Sequence, residues 1–183
     1  HAIRCSTPVR GREWTMCNLQ TRLSKYVSAH HSRVLFRDSD GRHLSYSKVT
    51  ELAETSAFTL MQRRVVLCMV DNDLAGLTGY LGLLAADAIP LMVSVGMPSR
   101  QLQSLMASYR PGSVWLPESR RGEFADVVCL IAFDGYCLLD LDSPPYEVHE
   151  SLAVLLGTSG STGSPQLVRL SYENIWNNAE SIA

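Results

Sequence analysis

The chain has 183 residues, of which 46% are hydrophobic and 19% are charged, and its formal net charge is −2. This composition is typical of a globular α/β protein with a sizeable core and excludes general disorder. The small net charge argues against a nucleic-acid-binding surface, and no apolar run reaches the roughly 18 residues that a membrane-spanning helix needs.

The cysteines indicate the compartment. The five cysteines are scattered and show neither zinc-ligand spacing nor a disulfide framework. We interpret them as reduced thiols, which predicts a cytoplasmic protein. Cys68 and Cys129 fall in apolar segments and are expected to be small core residues. Residues 1–12 begin with His1 and are interpreted as a tag or a disordered arm.

The first third of the chain predicts two helices separated by a hairpin. Apolar residues recur at helical spacing over 13–29. Two short apolar segments then flank a turn at Asp40-Gly41, which predicts a β-hairpin. A second helix is expected to begin at a cap on Ser45 or Ser47 and to run to about Gln62.

The middle of the chain alternates strands with helices. Residues 65–70 are continuously apolar and predict a buried strand, after which Asp73 is expected to cap a helix over 74–86. The glycines and alanines of that helix suggest close packing against a sheet rather than a nucleotide loop. A strand over 89–93 and a helix over 98–109 follow.

The last third predicts mainly strands. A short edge strand is expected over 113–116, and two less regular strands over 127–131 and 136–141. A final strand over 167–170 leads to a helix capped by Ser171. Strands that alternate with helices imply an α/β fold with a largely parallel sheet flanked by helices.

The stretch between 152 and 166 is the strongest functional signal. Residues 152–156 predict a strand buried on both faces. Residues 157–165 then contain three glycines together with serine and threonine hydroxyls, and they carry no charge. Glycines allow the backbone to approach a ligand closely, and successive N–H groups can form an anion-binding concavity. The stretch therefore predicts a loop that binds a polyphosphate.

A stretch of this composition has three other interpretations. A Gly/Ser-rich stretch is often a flexible linker. A Walker-type loop requires Gly-Lys-Ser/Thr five residues after its first glycine, but Thr162 stands five residues after Gly157. A hydrolase elbow requires Gly-x-Ser-x-Gly, which the chain lacks.

The residue order favours a specific family. From Leu155 to Pro165 the stretch resembles the signature loop of the acyl-adenylate-forming (AMP-binding) superfamily, which includes acyl-CoA synthetases, peptide-synthetase adenylation domains and luciferases. That loop consists of a hydrophobic residue, two free positions and Thr-Ser-Gly-Ser/Thr-Thr-Gly-x-Pro-Lys. Residues 44–49, 80–91 and 171–174 resemble other family segments, although Asp87 stands where glycine is preferred.

The resemblance implies that residues 1–183 are the N-terminal portion of an AMP-binding (adenylation) domain, the N-terminal subdomain of an adenylate-forming enzyme. Such an enzyme activates a carboxylic acid with ATP and Mg2+ and transfers the acyl group to coenzyme A or to the pantetheine of a carrier protein. The implied ATP phosphate-binding residues are Thr158, Ser159, Gly160, Ser161, Thr162, Gly163 and Gln166.

Two departures from the family pattern limit this expectation. Gln166 replaces the family lysine and can donate only neutral hydrogen bonds. The family's adenine-binding, ribose-binding and C-terminal catalytic residues all follow this loop, so this chain is expected to be inactive without the missing C-terminal part of the same enzyme. The alternative is a truncated, non-catalytic protein that binds a nucleotide or a protein partner.

No metal site is predicted. Acidic residues cluster between 134 and 150, but they are interpreted as solvent-exposed loop charges. His149 is likewise expected to be an exposed loop residue and not a catalytic base. The arginine pairs at 63–64 and 120–121 are expected to be solvated charges.

Overall fold

The computed structural model describes residue 30, residues 32–157 and residues 167–182. The helix predicted over 13–29 and the loop over 158–166 lie outside the described residues. The first two strands of the described residues form a hairpin, with β1 at Val34–Arg37 and β2 at His43–Ser45. Its turn contains Gly41, whose φ is +82°, as expected for a turn glycine.

A seven-stranded sheet organises the described residues. Its strands are β3 (Val65–Val70), β4 (Ile89–Ser94), β5 (Ser113–Pro117), β6 (Val128–Phe133), β7 (Tyr136–Asp140), β8 (Leu152–Gly157) and β9 (Leu167–Ser171). The order across the sheet is β6-β7-β5-β3-β4-β8-β9. Strands β5, β3, β4 and β8 are parallel, whereas β7 and β9 run antiparallel to their neighbours. The predicted fold class is therefore confirmed.

Helices cover both faces of the sheet. They are α1 (Tyr46–Ala53), α2 (Ser56–Thr59), α3 (Leu74–Ala85), α4 (Ser99–Tyr109), a 3-10 helix (Glu118–Phe124) and α5 (Tyr172–Ile182). Among the residues that the structure describes, the helices are all too short or too polar to cross a lipid bilayer.

Alternation along the strands divides the core into two layers. Val66 and Cys68 of β3 point into the layer that contains the buried residues of α1, α2 and α3. Val65, Leu67 and Met69 point into the opposite layer, with α4 and the 3-10 helix. Because both faces of the central strands are covered, these strands are apolar at almost every position.

Helix α3 packs closely on the sheet through its glycines, as predicted. A Cβ atom on Gly79 would lie 2.1 Å from Cε2 of Trp115, and one on Gly82 would lie 3.0 Å from Cε1 of Phe58. The two aromatic rings contact each other edge to face, with centroids 5.7 Å apart. The glycines therefore make room for large aromatic side chains beneath the helix.

Two predictions about elements were wrong. The helix expected to run to Gln62 is interrupted, because Thr55 has an extended backbone and its hydroxyl accepts a hydrogen bond from the Phe58 N–H, which starts α2. Strand β5 is not at an edge of the sheet, because the β6–β7 hairpin pairs with its free side.

The same hairpin explains a wrong prediction about Cys129. Cys68 is buried, as predicted, but Cys129 is exposed. Its strand, β6, lies at the edge of the sheet. Apolar content alone cannot distinguish an edge strand with one open face from a central strand.

The arginine pairs are not simply solvated charges. Arg64 Nη2 donates to the Ser143 carbonyl at 2.6 Å, and Arg121 donates to the carbonyls of Phe124 and Val127. Arg120 donates to the carbonyls of Val95 and Met97. These guanidinium groups bind backbone carbonyls that lie outside the strands, which ties the connecting segments to one another.

Candidate functional site

Strand β8 delivers the predicted loop to the carboxyl edge of the parallel strands. It pairs with β4 through Leu91 opposite Leu155 and Met92 opposite Leu156. Its last residue is Gly157, directly before the predicted phosphate-binding residues. Open α/β sheets bind ligands outside the carboxyl ends of their strands, so the position of β8 suits a ligand-binding loop.

The two ends of the loop are held together. Gly157 at the end of β8 pairs with Leu167 at the start of β9, and Leu156 pairs with Val168. Residues 158–166 therefore connect two adjacent antiparallel strands. A nine-residue connection closed in this way has its exit and its return fixed by backbone hydrogen bonds.

Gly157 lies against the neighbouring strand. A Cβ atom at this position would be 3.2 Å from the carbonyl oxygen of Met92 in β4. This separation is closer than most Cβ atoms adopt, so a larger side chain would push the start of the loop away from β4. The glycine thus lets the chain leave the sheet alongside β4.

The predicted binding residues themselves lie outside the described residues. They are Thr158, Ser159, Gly160, Ser161, Thr162, Gly163 and Gln166. Among the described residues, Arg169 is the cationic residue nearest to Gln166 in the sequence. It is exposed on β9 and pairs with Leu155.

A hydrogen-bonded pair of side chains lies at the same edge, after β3. Tyr136 at the start of β7 donates to Asp73 Oδ2 at 2.9 Å, while Asp73 Oδ1 accepts from the Gly76 N–H at 2.6 Å. Burial and the bond to Asp73 raise the pKa of Tyr136 above the ordinary tyrosine value. Asp73 therefore caps α3, as predicted, and also ties β7 to that helix.

A surface cleft of about 350 Å³ lies elsewhere in the fold. It is bounded by the β1–β2 hairpin, α1, the start of α3 and the β6–β7 turn. Its lining contains no residue of β4, β8 or β9. This cleft is therefore separate from the point where the predicted loop leaves the sheet.

Sequence reasoning missed a polar cluster at the opposite, amino edge of the sheet. Tyr172 at the start of α5 donates to Asp87 Oδ1 at 2.7 Å, and Arg63 Nη1 is 3.5 Å from the same oxygen. Arg63 also donates to the carbonyls of Leu152 and His149. The presence of Asp87 where the family prefers glycine was the one signal in the sequence.

The acidic segment near this cluster shows no ligand arrangement. Within residues 30, 32–157 and 167–182, no group of three or more His, Cys, Asp or Glu side chains could hold a metal ion. His149 is exposed, as predicted, and its Nδ1 lies 2.8 Å from the Ser151 hydroxyl.

Comparison with known sequences decides the family. Residues 23–183 match the family described as AMP-binding enzyme. The chain belongs to the AMP-binding enzyme family. This match confirms the resemblance recognised from the loop, and it extends over 161 of the 183 residues, from residue 23 to the end.

The relatives of this AMP-binding chain include very long synthetases. It is 28% identical over 156 residues to Bacitracin synthase 2 of Bacillus licheniformis, covering 81% of this chain and 6% of that protein. It is 24% identical over 177 residues to the Hybrid PKS-NRPS synthetase gkaA of Penicillium citrinum, covering 90% and 4% respectively. The chain thus spans a small part of these relatives.

Solved structures share the AMP-binding fold. Apo MatB from Rhodopseudomonas palustris superposes with a TM-score of 0.69 at 19% identity, covering 90% of this chain and 36% of that one. A fatty acyl-adenylate ligase from L. pneumophila, in complex with acyl adenylate and pyrophosphate, also gives 0.69 at 20% identity, covering 95% and 34%. The described fold is therefore found within longer chains, one of which is an acyl-adenylate ligase.

Proposed function

We propose that residues 1–183 form the N-terminal portion of an adenylation domain in an ATP-dependent, carboxylate-activating ligase. The observation that carries this proposal is the signature from Leu155 to Pro165, which begins in β8 at the carboxyl edge of the sheet and returns through β9. Coverage of about a third of the adenylate ligase supports a role as one part of a larger unit.

The proposed reaction has two steps. A carboxylate oxygen attacks the α-phosphorus of ATP, the bond to the bridging oxygen breaks, and pyrophosphate leaves with that oxygen's electron pair. A thiol of coenzyme A or of carrier-protein pantetheine then attacks the acyl carbon, loses its proton and displaces AMP. Neither step needs a nucleophile from the protein, so positioning and electrostatic stabilisation supply the catalysis.

In this reaction the loop holds the β- and γ-phosphates of ATP. The hydroxyls of Thr158, Ser159, Ser161 and Thr162 and the N–H groups around Gly160 and Gly163 are suited to donate hydrogen bonds to phosphate oxygens. Mg2+ enters bound to the nucleotide, since it prefers phosphate oxygens and water as ligands. MatB, which shares the fold, has been solved with ATP bound.

Gln166 lowers the expected affinity for ATP. An amide donates a neutral hydrogen bond where the family lysine brings a full positive charge. Hydrogen bonds to charged groups contribute roughly 1.5–3 kcal/mol. Loss of that charge is expected to weaken phosphate binding by about tenfold to a hundredfold.

Calorimetric titration with MgATP tests the loop. We expect Gln166→Lys to bind MgATP about tenfold or more tightly than the natural sequence, because it restores the charge. Gln103→Lys is the matched control, since Gln103 is exposed on α4 and the change adds the same charge elsewhere. Equal affinity in all three proteins, or no binding in any of them, would reject the phosphate-site assignment.

The alternative function is a non-catalytic nucleotide-binding or interaction protein. Gln166 is the observation that favours it, because it removes a charge that adenylation would use. Carboxylate-dependent exchange of labelled pyrophosphate into ATP separates the two functions when measured on a longer protein that includes the rest of the domain. Exchange would establish the ligase, and its absence with a panel of carboxylic acids would favour the alternative.

A further inference from the structure

The cluster at the amino edge of the sheet occupies an unusual backbone position. Asp87 follows the end of α3 with φ of +59°, a left-handed conformation in which glycine is the common residue. Arg63 is also left-handed, with φ of +53°, and its N–H donates to the Asp87 carbonyl at 2.8 Å. Two residues with left-handed backbones are thus joined by a backbone hydrogen bond, and their side chains also meet, with Arg63 Nη1 3.5 Å from Asp87 Oδ1.

The side chain of Asp87 makes a hydrogen bond that a glycine at this position could not make. Asp87 is 8% exposed, and its Oδ1 accepts the hydrogen bond from Tyr172 at 2.7 Å. The Tyr172 ring packs beside the buried Leu84, Ala153 and Val154. The carboxylate therefore links the end of α3 to the first residue after β9.

Arg63 extends the link to β8, the strand that pairs with β9. Its Nη1 donates to the Leu152 carbonyl at 3.0 Å, at the first residue of β8. Its Nη2 donates to the His149 carbonyl at 2.8 Å. The base of β8 and the end of β9 are consequently attached to the same pair of side chains, Arg63 and Asp87.

The backbone pairing is irregular at this point. Leu152 pairs with Ser171 and Val154 pairs with Leu170, which leaves Ala153 as an extra residue in β8. Such a bulge bends and twists a strand pair. Because β9 is the edge strand and contacts the sheet through β8, its direction depends on how this base is fixed.

We propose that Asp87 is a positioning residue that, through Tyr172, fixes the direction of β9 and hence the place where the phosphate loop returns to the sheet. This inference rests on the proposed function of that loop. The amino end of β9 is Leu167, opposite Gly157, so a change in the direction of β9 shifts one end of the loop relative to the other.

Hydrogen exchange tests the link without requiring any activity. In the 183-residue chain, Asp87→Gly and Tyr172→Phe are expected to accelerate amide exchange in residues 167–175 by about tenfold, the effect of losing one hydrogen bond to a carboxylate. The double variant should exchange no faster than either single variant, since both remove the same bond. Asp87→Asn keeps an oxygen acceptor and should exchange more slowly than Asp87→Gly.

Asp134→Gly is the matched control. Asp134 is exposed in the β6–β7 turn with φ of +48°, so the same replacement relieves the same backbone strain there. Exchange in residues 167–175 should be unchanged in this variant. Equal acceleration in β3 for any Asp87 variant would show a general loss of stability and would overturn the proposal, as would unchanged exchange in 167–175.

MgATP affinity supplies the second readout. If Asp87 positions the loop, Asp87→Gly and Tyr172→Phe in the Gln166→Lys background should weaken MgATP binding by about threefold to tenfold, the effect of a partial loss of this contact. Altered exchange with unchanged affinity would reduce Asp87 to a structural role and overturn the positioning claim. Absence of MgATP binding before Asp87 is changed would overturn the proposed function, while exchange would still decide whether Asp87 fixes β9.

Discussion

Gly79 shows how one residue sets the distance between a helix and the sheet. It lies in α3 directly above Trp115, which is fully buried and stacks on Tyr136 with ring centroids 5.5 Å apart. Glycine within a helix costs about 1 kcal/mol relative to alanine. Its presence here indicates that avoiding a clash with the indole ring of Trp115 stabilises the fold by more than glycine costs in helix propensity.

We expect Gly79→Ala to destabilise the chain by about 1–3 kcal/mol, because overpacking Trp115 exceeds the gain in helix propensity. Gly122→Ala is the control, since a Cβ atom at Gly122 meets nothing within 4 Å. Urea unfolding of both variants measures the difference. A Gly79→Ala protein as stable as Gly122→Ala would show that the ring shifts at little cost.

At the scale of the element, α3 depends on a single capping side chain. Asp73 accepts from the Gly76 N–H and from the Tyr136 hydroxyl, so its carboxylate joins the helix start to strand β7. Helix α4 lacks such a bond, since Pro98 occupies its cap position. The first residue of α3 is thus fixed by a side-chain cap, whereas the first residue of α4 is not.

Asp73→Ala is expected to lower the free energy of unfolding by about 1–2 kcal/mol, the range observed for lost N-caps. Asp73→Asn should lose less, because asparagine caps equally well and its amide still reaches Tyr136. Thermal unfolding monitored by circular dichroism measures both. Equal losses for the two variants would mean that charge, and not the cap, is what stabilises α3.

At the scale of the whole molecule, one buried tyrosine and two partly buried ones predict a loss of stability at alkaline pH. Burial raises the pKa of Tyr80 from 10 to about 12, and burial together with bonds to Asp73 and Asp87 raises the pKa of Tyr136 and Tyr172. At a pH between the unfolded-state pKa and the higher folded-state pKa, the folded protein retains tyrosine protons that the unfolded protein has lost. The contribution of these tyrosines to the free energy of unfolding is therefore fully present below pH 10 and is lost as the pH rises towards 12.

Replacement of Tyr80 by phenylalanine should reduce this dependence by about 1–2 kcal/mol between pH 9 and pH 12, with little change at pH 7. Urea midpoints at several pH values provide the measurement. A Tyr80→Phe protein with the same alkaline slope as the natural sequence would indicate that Tyr80 does not contribute, and that Tyr136 and Tyr172 account for the effect.

Several features of the fold could be predicted from sequence because they depend on local chemistry. Strand β3 has the predicted bounds, Asp73 caps α3, and Ser171 accepts from the Asn174 N–H at the start of α5. Each follows from a short run of residues. The interruption at Thr55 was missed because the apolar spacing continues through it while the hydroxyl competes for the backbone.

The family was predictable from the sequence, whereas the contacts at the amino edge of the sheet were not. The residue order from Leu155 to Pro165 indicates the family without any structure. The bonds between Asp87, Arg63 and Tyr172 join residues 24 and 85 positions apart, and no local pattern reports such contacts. Asp87 in place of a glycine marked the position but could not reveal its partner.

The sequence by itself determined the family and the alternation of strands and helices, because periodicity, capping and motif order depend on neighbouring residues. The tertiary structure decided that β5 is internal, that Cys129 is exposed on an edge strand, and that arginines bind distant carbonyls. Those outcomes depend on which strands pair and which face each strand presents. Strand pairing and the exposure of each face depend on packing across the whole sheet, which involves contacts between residues far apart in the sequence.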